Sequence, residues 1–318
     1  MHNVGMHYPE PGKMLFYDLG PLPELGQSQI LIRTLYTGIT NGTERHALLG
    51  EHYWSRESAF PGRHGYQHVG TVEATGKAVS EFEPGDLVFC GEYVGHRGWL
   101  LVDQSALCVR LPTDVDAKYC ALLGVAGVAM RGVRRFRVGP GQRVWVAGAG
   151  PIGQFAAQFA DTSGAAVTVT DVNEARLSVA SQLGARRVVS AADNACTEAL
   201  KEGGPYNCII DACGVETLLS DIWGAGLLAK GGVVGMLAVR SMTVFPWAML
   251  HAPESSIEGS CHFDKDDLGA VLSLIRQGRA RIEPMVTHLL PIEQAPAIYA
   301  TLRDRPAELL GVIFDWTI

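Results

Sequence analysis

The chain has 318 residues, 47% of them hydrophobic, which is enough for two domains with substantial cores and no need of covalent staples. Its formal charge of −7 gives no reason to expect nucleic acid or an anionic membrane surface as a partner. No apolar stretch approaches the roughly 20 residues of a membrane span, and the N-terminus shows no signal-peptide pattern, so a cytoplasmic location is expected.

Residues 1 to about 110 read as short strands broken by turn residues. Ile30 to Tyr36 is β-branched and aromatic, Val69 to Ala74 alternates, and Pro84-Gly85-Asp86 turns into Leu87-Val88-Phe89. From Ala117 to Arg135 the pattern becomes helical. Strand and helix then alternate to about Gly235, with strands expected at 144–147, 167–170, 187–189, 208–211 and 232–236 and a helix at 174–183, the pattern of a doubly wound parallel sheet. Further strands are expected at 240–246 and 311–314, a strand-like stretch at 255–260, and helices at 264–277 and 292–303. The reading is of α/β class with three segments: a β-rich part at 1–117, a strand–helix part at 118–254, and a final segment at 255–318.

The most informative stretch is Val144 to Gly153, where a strand-like run enters Gly148-Ala149-Gly150-Pro151-Ile152-Gly153 and then a helix-like run. In such a turn the first glycine bends the chain, the second admits a pyrophosphate and the third lets helix and strand approach. Helix N-terminal amides then face the phosphates. Asp171 ends the next strand about where the ribose-binding acid of this motif belongs, and a carboxylate there favours NAD over NADP. The competing role for Asp171 is to cap the helix starting near Asn173. Seven cysteines, with no Cys-x-x-Cys pair, suggest neither a disulfide framework nor a zinc knuckle.

Taken in order, Gly38-Ile39-x-Asn41-Gly42-Thr43-Glu44, Gly65-Tyr66-Gln67-x-Val69-Gly70, Pro84-Gly85-Asp86-x-Val88, Gly139-x-Gly141-x-x-Val144 with the glycine turn, Gly259-Ser260 and Leu290-Pro291-Ile292-Glu293-x-Ala295 resemble the medium-chain dehydrogenase/reductase superfamily. The resemblance implies a GroES-like catalytic domain at 1–117 that is completed by 255–318, a Rossmann NAD-binding domain at 118–254, an active site in the cleft between them, a small-molecule substrate and a homodimer. By motif position it also implies cofactor contacts from Arg176, Cys213 and Leu237.

Zinc members of that superfamily carry cysteine and histidine where this chain has Asn41 and Tyr66, the stretch around Leu123 to Ala126 offers no third ligand, and only Cys90 falls where a structural zinc lobe would need four cysteines. No zinc is therefore expected. Asn-Gly-Thr-Glu with Gly-Tyr-Gln is most similar to a zinc-free branch that includes the bacteriochlorophyllide dehydrogenases. The resemblance implies hydride exchange between NAD(H) and a secondary alcohol or ketone of a medium or large metabolite, such as a hydroxyethyl tetrapyrrole, cyclitol or sugar. Without a metal, side chains must handle the hydroxyl proton. By motif position Thr43 and Tyr66 contact the substrate oxygen and His46 passes the proton to solvent, while Asn41, Tyr53 and Trp54 are candidates for substrate contact. Each has a plainer alternative: packing for Tyr66, a helix cap for Thr43, a solvated face for His46. Double-bond reduction of the quinone or enoyl reductase type, and NAD(H) binding without turnover, are the competing functional readings.

Overall fold

The computed structural model describes residues 3–51 and 60–317. The chain forms two compact units, one of 1–124 with 286–318 and one of 125–285. The first opens with strands β1 (Val4–His7), β2 (Leu15–Asp18) and β3 (Gln29–Gly38) and helix α1 (Asn41–Leu49). It continues through β4 (His68–Thr75), β5 (Leu87–Cys90), β6 (Trp99–Asp103) and β7 (Cys108–Arg110). The second unit contains α2 (Leu123–Arg135), β8 (Arg143–Ala147), α3 (Pro151–Thr162), β9 (Ala166–Asp171), α4 (Glu174–Gln182) and β10 (Arg187–Ser190). After these come α5 (Cys196–Gly203), β11 (Tyr206–Asp211), α6 (Leu218–Gly224), β12 (Leu228–Met236), α7 (Ala248–His251), β13 (Ser256–Gly259) and α8 (Lys265–Arg276). The chain returns to the first unit with β14 (Val286–Pro291), α9 (Ala295–Asp304) and β15 (Gly311–Asp315).

The first unit is built on a sheet of order β14-β15-β3-β4-β5-β7, with β6 also pairing β3. Alternating residues of β3 and β4 put Ile30, Ile32 and Val72 into one core with Phe82, Val88 and Leu100. A second core joins Leu48 of α1 to Ile298, Tyr299 and Leu302 of α9. The second unit is a parallel sheet of order β10-β9-β8-β11-β12-β13. Near-continuous apolar runs such as Val144–Ala147, buried throughout, are what a strand covered on both faces requires.

Three expectations change. The return to the first unit falls at Val286 rather than at 255, because β13 adds in parallel to β12 and Asp267 of α8 takes ion pairs from Arg131 and Arg134 of α2 at 2.8 and 2.7 Å. The start of the second unit likewise lies at 125 rather than 118, since the 3-10 turn Tyr119–Leu122 packs on β3, with the carbonyl of Ala121 filling the space a side chain at Gly38 would need. Residues 240–246 form no strand: Arg240 turns inward to the Asp211 carboxylate, and Met242 and Val244 are left exposed.

Candidate functional site

In the second unit β8 ends in the glycine turn. Gly148 has φ +102, a conformation that L side chains rarely adopt. A Cβ on Gly150 would meet no atom within 4 Å, so the chain leaves open space at the start of α3. A Cβ on Gly153 would lie 1.8 Å from the carbonyl oxygen of Gly148, so helix and strand touch backbone to backbone. Pro151 holds the first helical position, where its missing N–H costs nothing, and no side chain caps the helix. First-turn amides are thus left for an acceptor from outside the helix.

Asp171 ends β9 and accepts hydrogen bonds from the amides of Ala149 at 2.7 Å and Asn173 at 2.9 Å. The capping role falls to Asn173, whose side chain accepts from the amide of Ala175 at 2.9 Å. A carboxylate oxygen has acceptor capacity beyond one bond, so Asp171 remains able to bind a hydroxyl pair. Gly148, Gly150, Asp171, Arg176 and Cys213 all line one cavity of about 1030 Å³. Val172 and Val215, 70% and 51% exposed, add apolar surface to its wall. Neither stood out in sequence, where the only signal is a β-branched residue just past a strand end.

Leu237 is a core residue rather than a wall residue: it is 4% exposed and packs where a side chain on Gly132 would stand. Its amide donates to the carbonyl of Asp211 at 3.0 Å. The buried Asp211 carboxylate also accepts from the amides of Cys213 and Gly214 at 3.1 and 2.9 Å and pairs with Arg240. Burial pushes the Cys213 thiol up to about 11, which keeps it a neutral thiol lining the cavity.

In the first unit Tyr66 is 3% exposed, with its ring where a side chain on Gly124 would stand and 4.8 Å from the Tyr93 ring. Its fixed ring follows from that packing. Thr43 lies half-buried in the first turn of α1, whose N-cap is Thr40, so Thr43 is not the cap. His46 sits on the same helix with Nδ1 2.7 Å from Glu51, and its side chain is 36% exposed. The amide nitrogen of Asn41 donates to the carbonyls of Leu309 and Leu310 at 3.1 Å each, which ties α1 to the chain before β15. Tyr53 and Trp54 lie outside the described residues.

A buried polar cluster went unnoticed in the sequence. Glu44 is fully buried in α1 and accepts from the amide of Thr40 at 2.7 Å, from Nε2 of His96 at 3.1 Å and from the Tyr299 hydroxyl. Burial by itself would raise its pKa, but the charge and hydrogen bond of His96, with help from His64 and Tyr299, hold the carboxyl below its ordinary range.

His68, also buried, places Nε2 3.1 Å from the carbonyl of Gly95. Burial, with His96 nearby, pushes its pKa from 6.5 down to about 3. The unfolded chain therefore binds more protons than the folded one between those values, and stability falls as pH drops through 6.5 toward 3. The slope from this one group is about 1.4 kcal/mol per pH unit at most. His68→Gln should flatten that part of the decline, read as urea midpoints between about pH 6.5 and 4.5. Parallel declines in the two proteins would contradict the assignment.

Among the described residues no group of three or more His, Cys, Asp or Glu side chains is arranged to hold a metal ion. At Asn41 and Tyr66, the positions that the resemblance implied for zinc ligands, stand a carboxamide engaged with backbone carbonyls and a phenol. Cys90 lies in the apolar core of the first unit. No helix among the described residues is long and apolar enough to cross a membrane.

A family model described as the alcohol dehydrogenase GroES-like domain matches residues 26–159, and one described as zinc-binding dehydrogenase matches residues 151–277. Human sorbitol dehydrogenase is 30% identical over 89% of this chain and 88% of its own length. L-threonine 3-dehydrogenase of Proteus mirabilis is 25% identical over 93% of this chain and 94% of its own. The crystal structure of 2R,3R-butanediol dehydrogenase from Bacillus subtilis superposes with a TM-score of 0.86 at 18% identity, covering 98% of this chain and 99% of that one. The chain belongs to the zinc-type medium-chain dehydrogenase/reductase superfamily, with a GroES-like domain and a Rossmann sheet. Within it the protein is an alcohol dehydrogenase, an oxidoreductase of the NAD(P)-dependent kind.

Proposed function

We propose that the protein exchanges a hydride between NAD(H) and a secondary alcohol or ketone of a medium or large metabolite, with no zinc taking part. The observation that carries the metal-free reading is the donor set: an amide at Asn41 and a phenol at Tyr66, where tetrahedral zinc needs at least three protein ligands of the thiolate, imidazole or carboxylate kind. The match to a model described as zinc-binding dehydrogenase supports the lineage and does not supply those ligands. Relatives such as human sorbitol dehydrogenase, whose name gives an alcohol as substrate, support alcohol chemistry over double-bond reduction. A hydroxyethyl tetrapyrrole, a cyclitol and a sugar all present the required carbinol.

The residues of the second unit fit a dinucleotide: the open space at Gly150 would admit the pyrophosphate, the α3 amides would hold it, and Asp171 would accept from the adenosine ribose. Val172 and Val215 give a purine apolar surface, with Arg176 beside them on the same wall. When bound, the nicotinamide supplies the hydride acceptor or donor. On the first unit Tyr66 and Thr43 hold the substrate oxygen by hydrogen bonds that strengthen as negative charge develops on it; in ketone reduction the Tyr66 hydroxyl gives its proton to that oxygen and the phenolate left behind regains one from solvent, and alcohol oxidation runs the same transfers in reverse. His46, partly exposed and paired with Glu51, passes a proton to solvent. Working as a homodimer in the cytoplasm completes this reading.

The choice of cofactor is tested by titrating protein fluorescence with NADH and NADPH. NADH should bind at least tenfold more tightly, and Asp171→Ser should bring the two within about threefold, since a 2′-phosphate no longer meets a carboxylate. Tighter NADPH binding by the unaltered protein would overturn the role given to Asp171.

A further inference from the structure

We infer that Glu44, acting through His96, is a positioning residue for Tyr66. The inference rests on the catalytic reading of Tyr66 given above and explains a feature that reading does not use. A carboxylate with no exposed surface costs several kcal/mol unless every acceptor site is met, and an apolar side chain in its place would cost less. Glu44 meets that cost with three donors drawn from three separate parts of the first unit: the backbone at Thr40, the hydroxyl of Tyr299 in α9, and the imidazole of His96 in the segment before β6.

The His96 end of this array reaches the chain next to Tyr66. Gly65 has φ +131, and a Cβ there would lie 2.6 Å from Cδ2 and 2.9 Å from Nε2 of His96, so the imidazole edge rests directly against the Gly65 backbone. The amide of Gly95 donates to the carbonyl of Gly65 at 3.0 Å, and that of Met6 to the carbonyl of His96 at 2.9 Å. His96 is therefore fixed by its backbone on one side and by Glu44 on the other. The residue it presses on is the one before Tyr66. The ring of Tyr66 in turn stands against Gly124 and Tyr93. If Glu44 loses its charge, its hydrogen bond with the imidazole is no longer charge-assisted and the three donors compete for one neutral acceptor oxygen, so the surface that His96 presents to the Gly65–Tyr66 backbone is no longer held in place. The other titratable groups around the carboxylate are Tyr8, Tyr299, His64 and His68, and burial with the Glu44 charge keeps both phenols Tyr8 and Tyr299 protonated, well above their ordinary range.

The test is a double-mutant cycle of Glu44→Gln and Tyr66→Phe, read as kcat for a secondary alcohol, with NADH affinity followed by fluorescence. Glu44→Gln should lower kcat about 30-fold or more while NADH affinity stays within twofold, because the cofactor residues lie in the other unit. In the Tyr66→Phe background the same change should cost less than threefold. Such non-additivity is not produced by general loosening of the fold. If Glu44→Gln does not fold, His96→Gln replaces it in the cycle, with a fall of about tenfold expected. A single variant within threefold of the parent, or an equal loss in both backgrounds, overturns the positioning role and leaves the reading of Tyr66 standing. Full turnover by Tyr66→Phe alone overturns that reading, and the positioning role with it.

Discussion

Tyr66→Phe is expected to lower kcat by about 100- to 1000-fold with little change in cofactor affinity, the loss seen when one hydrogen-bond donor to a developing oxyanion is removed from a preorganised site. Tyr66 is almost fully buried, held by Gly124 and Tyr93, and follows Gly65, whose own position is set by His96. Phenylalanine keeps the ring and its packing, so the variant removes the hydroxyl and little else. Steady-state rates across a panel of secondary alcohols check the prediction, and a kcat within threefold of the parent on a productive substrate would show that the phenol is only a packing group.

The second large effect is expected at Gly153. Alanine there would place its Cβ 1.8 Å from the carbonyl oxygen of Gly148, and that obstacle is backbone, with no side-chain rotamer to yield. Either α3 shifts away from β8 or the turn opens, and both displace the amides that face a dinucleotide phosphate. Gly153→Ala should therefore weaken NADH binding about 100-fold or more and destabilise the second unit by about 3 kcal/mol, in the range of severe overpacking. Gly150→Ala makes a useful contrast, because a Cβ there meets nothing within 4 Å of the protein itself. It should leave stability nearly unchanged and still weaken NADH binding, since the open space is where the pyrophosphate approaches. Fluorescence titration and thermal unfolding of both variants read the two effects separately.

The parts of the molecule that were legible in the sequence are those fixed by neighbours along the chain. Strand, glycine turn, helix and acid follow one another within 144–171, so local pattern and tertiary role coincide and β8, α3 and β9 fall where expected. The 240–246 stretch failed because a strand needs a neighbouring strand to pair with; none pairs with it, and Arg240 instead pairs with Asp211, 29 residues away. The boundary at 255 failed for a related reason: β13 looks like a change of domain until its parallel pairing with β12 is known. His96 and Tyr299 lie 52 and 255 residues from Glu44, and no periodicity links them. Within the candidate site, motif position singled out Tyr66, Thr43 and His46 as residues, but not the packing that holds them. Asn41 shows the difference, since its side-chain nitrogen is engaged with the backbone at Leu309 and Leu310.

The chemistry proposed here stands or falls on whether turnover needs a metal, because an alcohol bound to zinc is acidified by the ion and leaves Tyr66 without its role. The most direct measurement is elemental metal content of protein that is actively turning over a secondary alcohol with NAD, before and after dialysis against a strong chelator. Zinc well below one equivalent with unchanged kcat is the expected result. Stoichiometric zinc, removed together with activity and restored with it, would contradict the account.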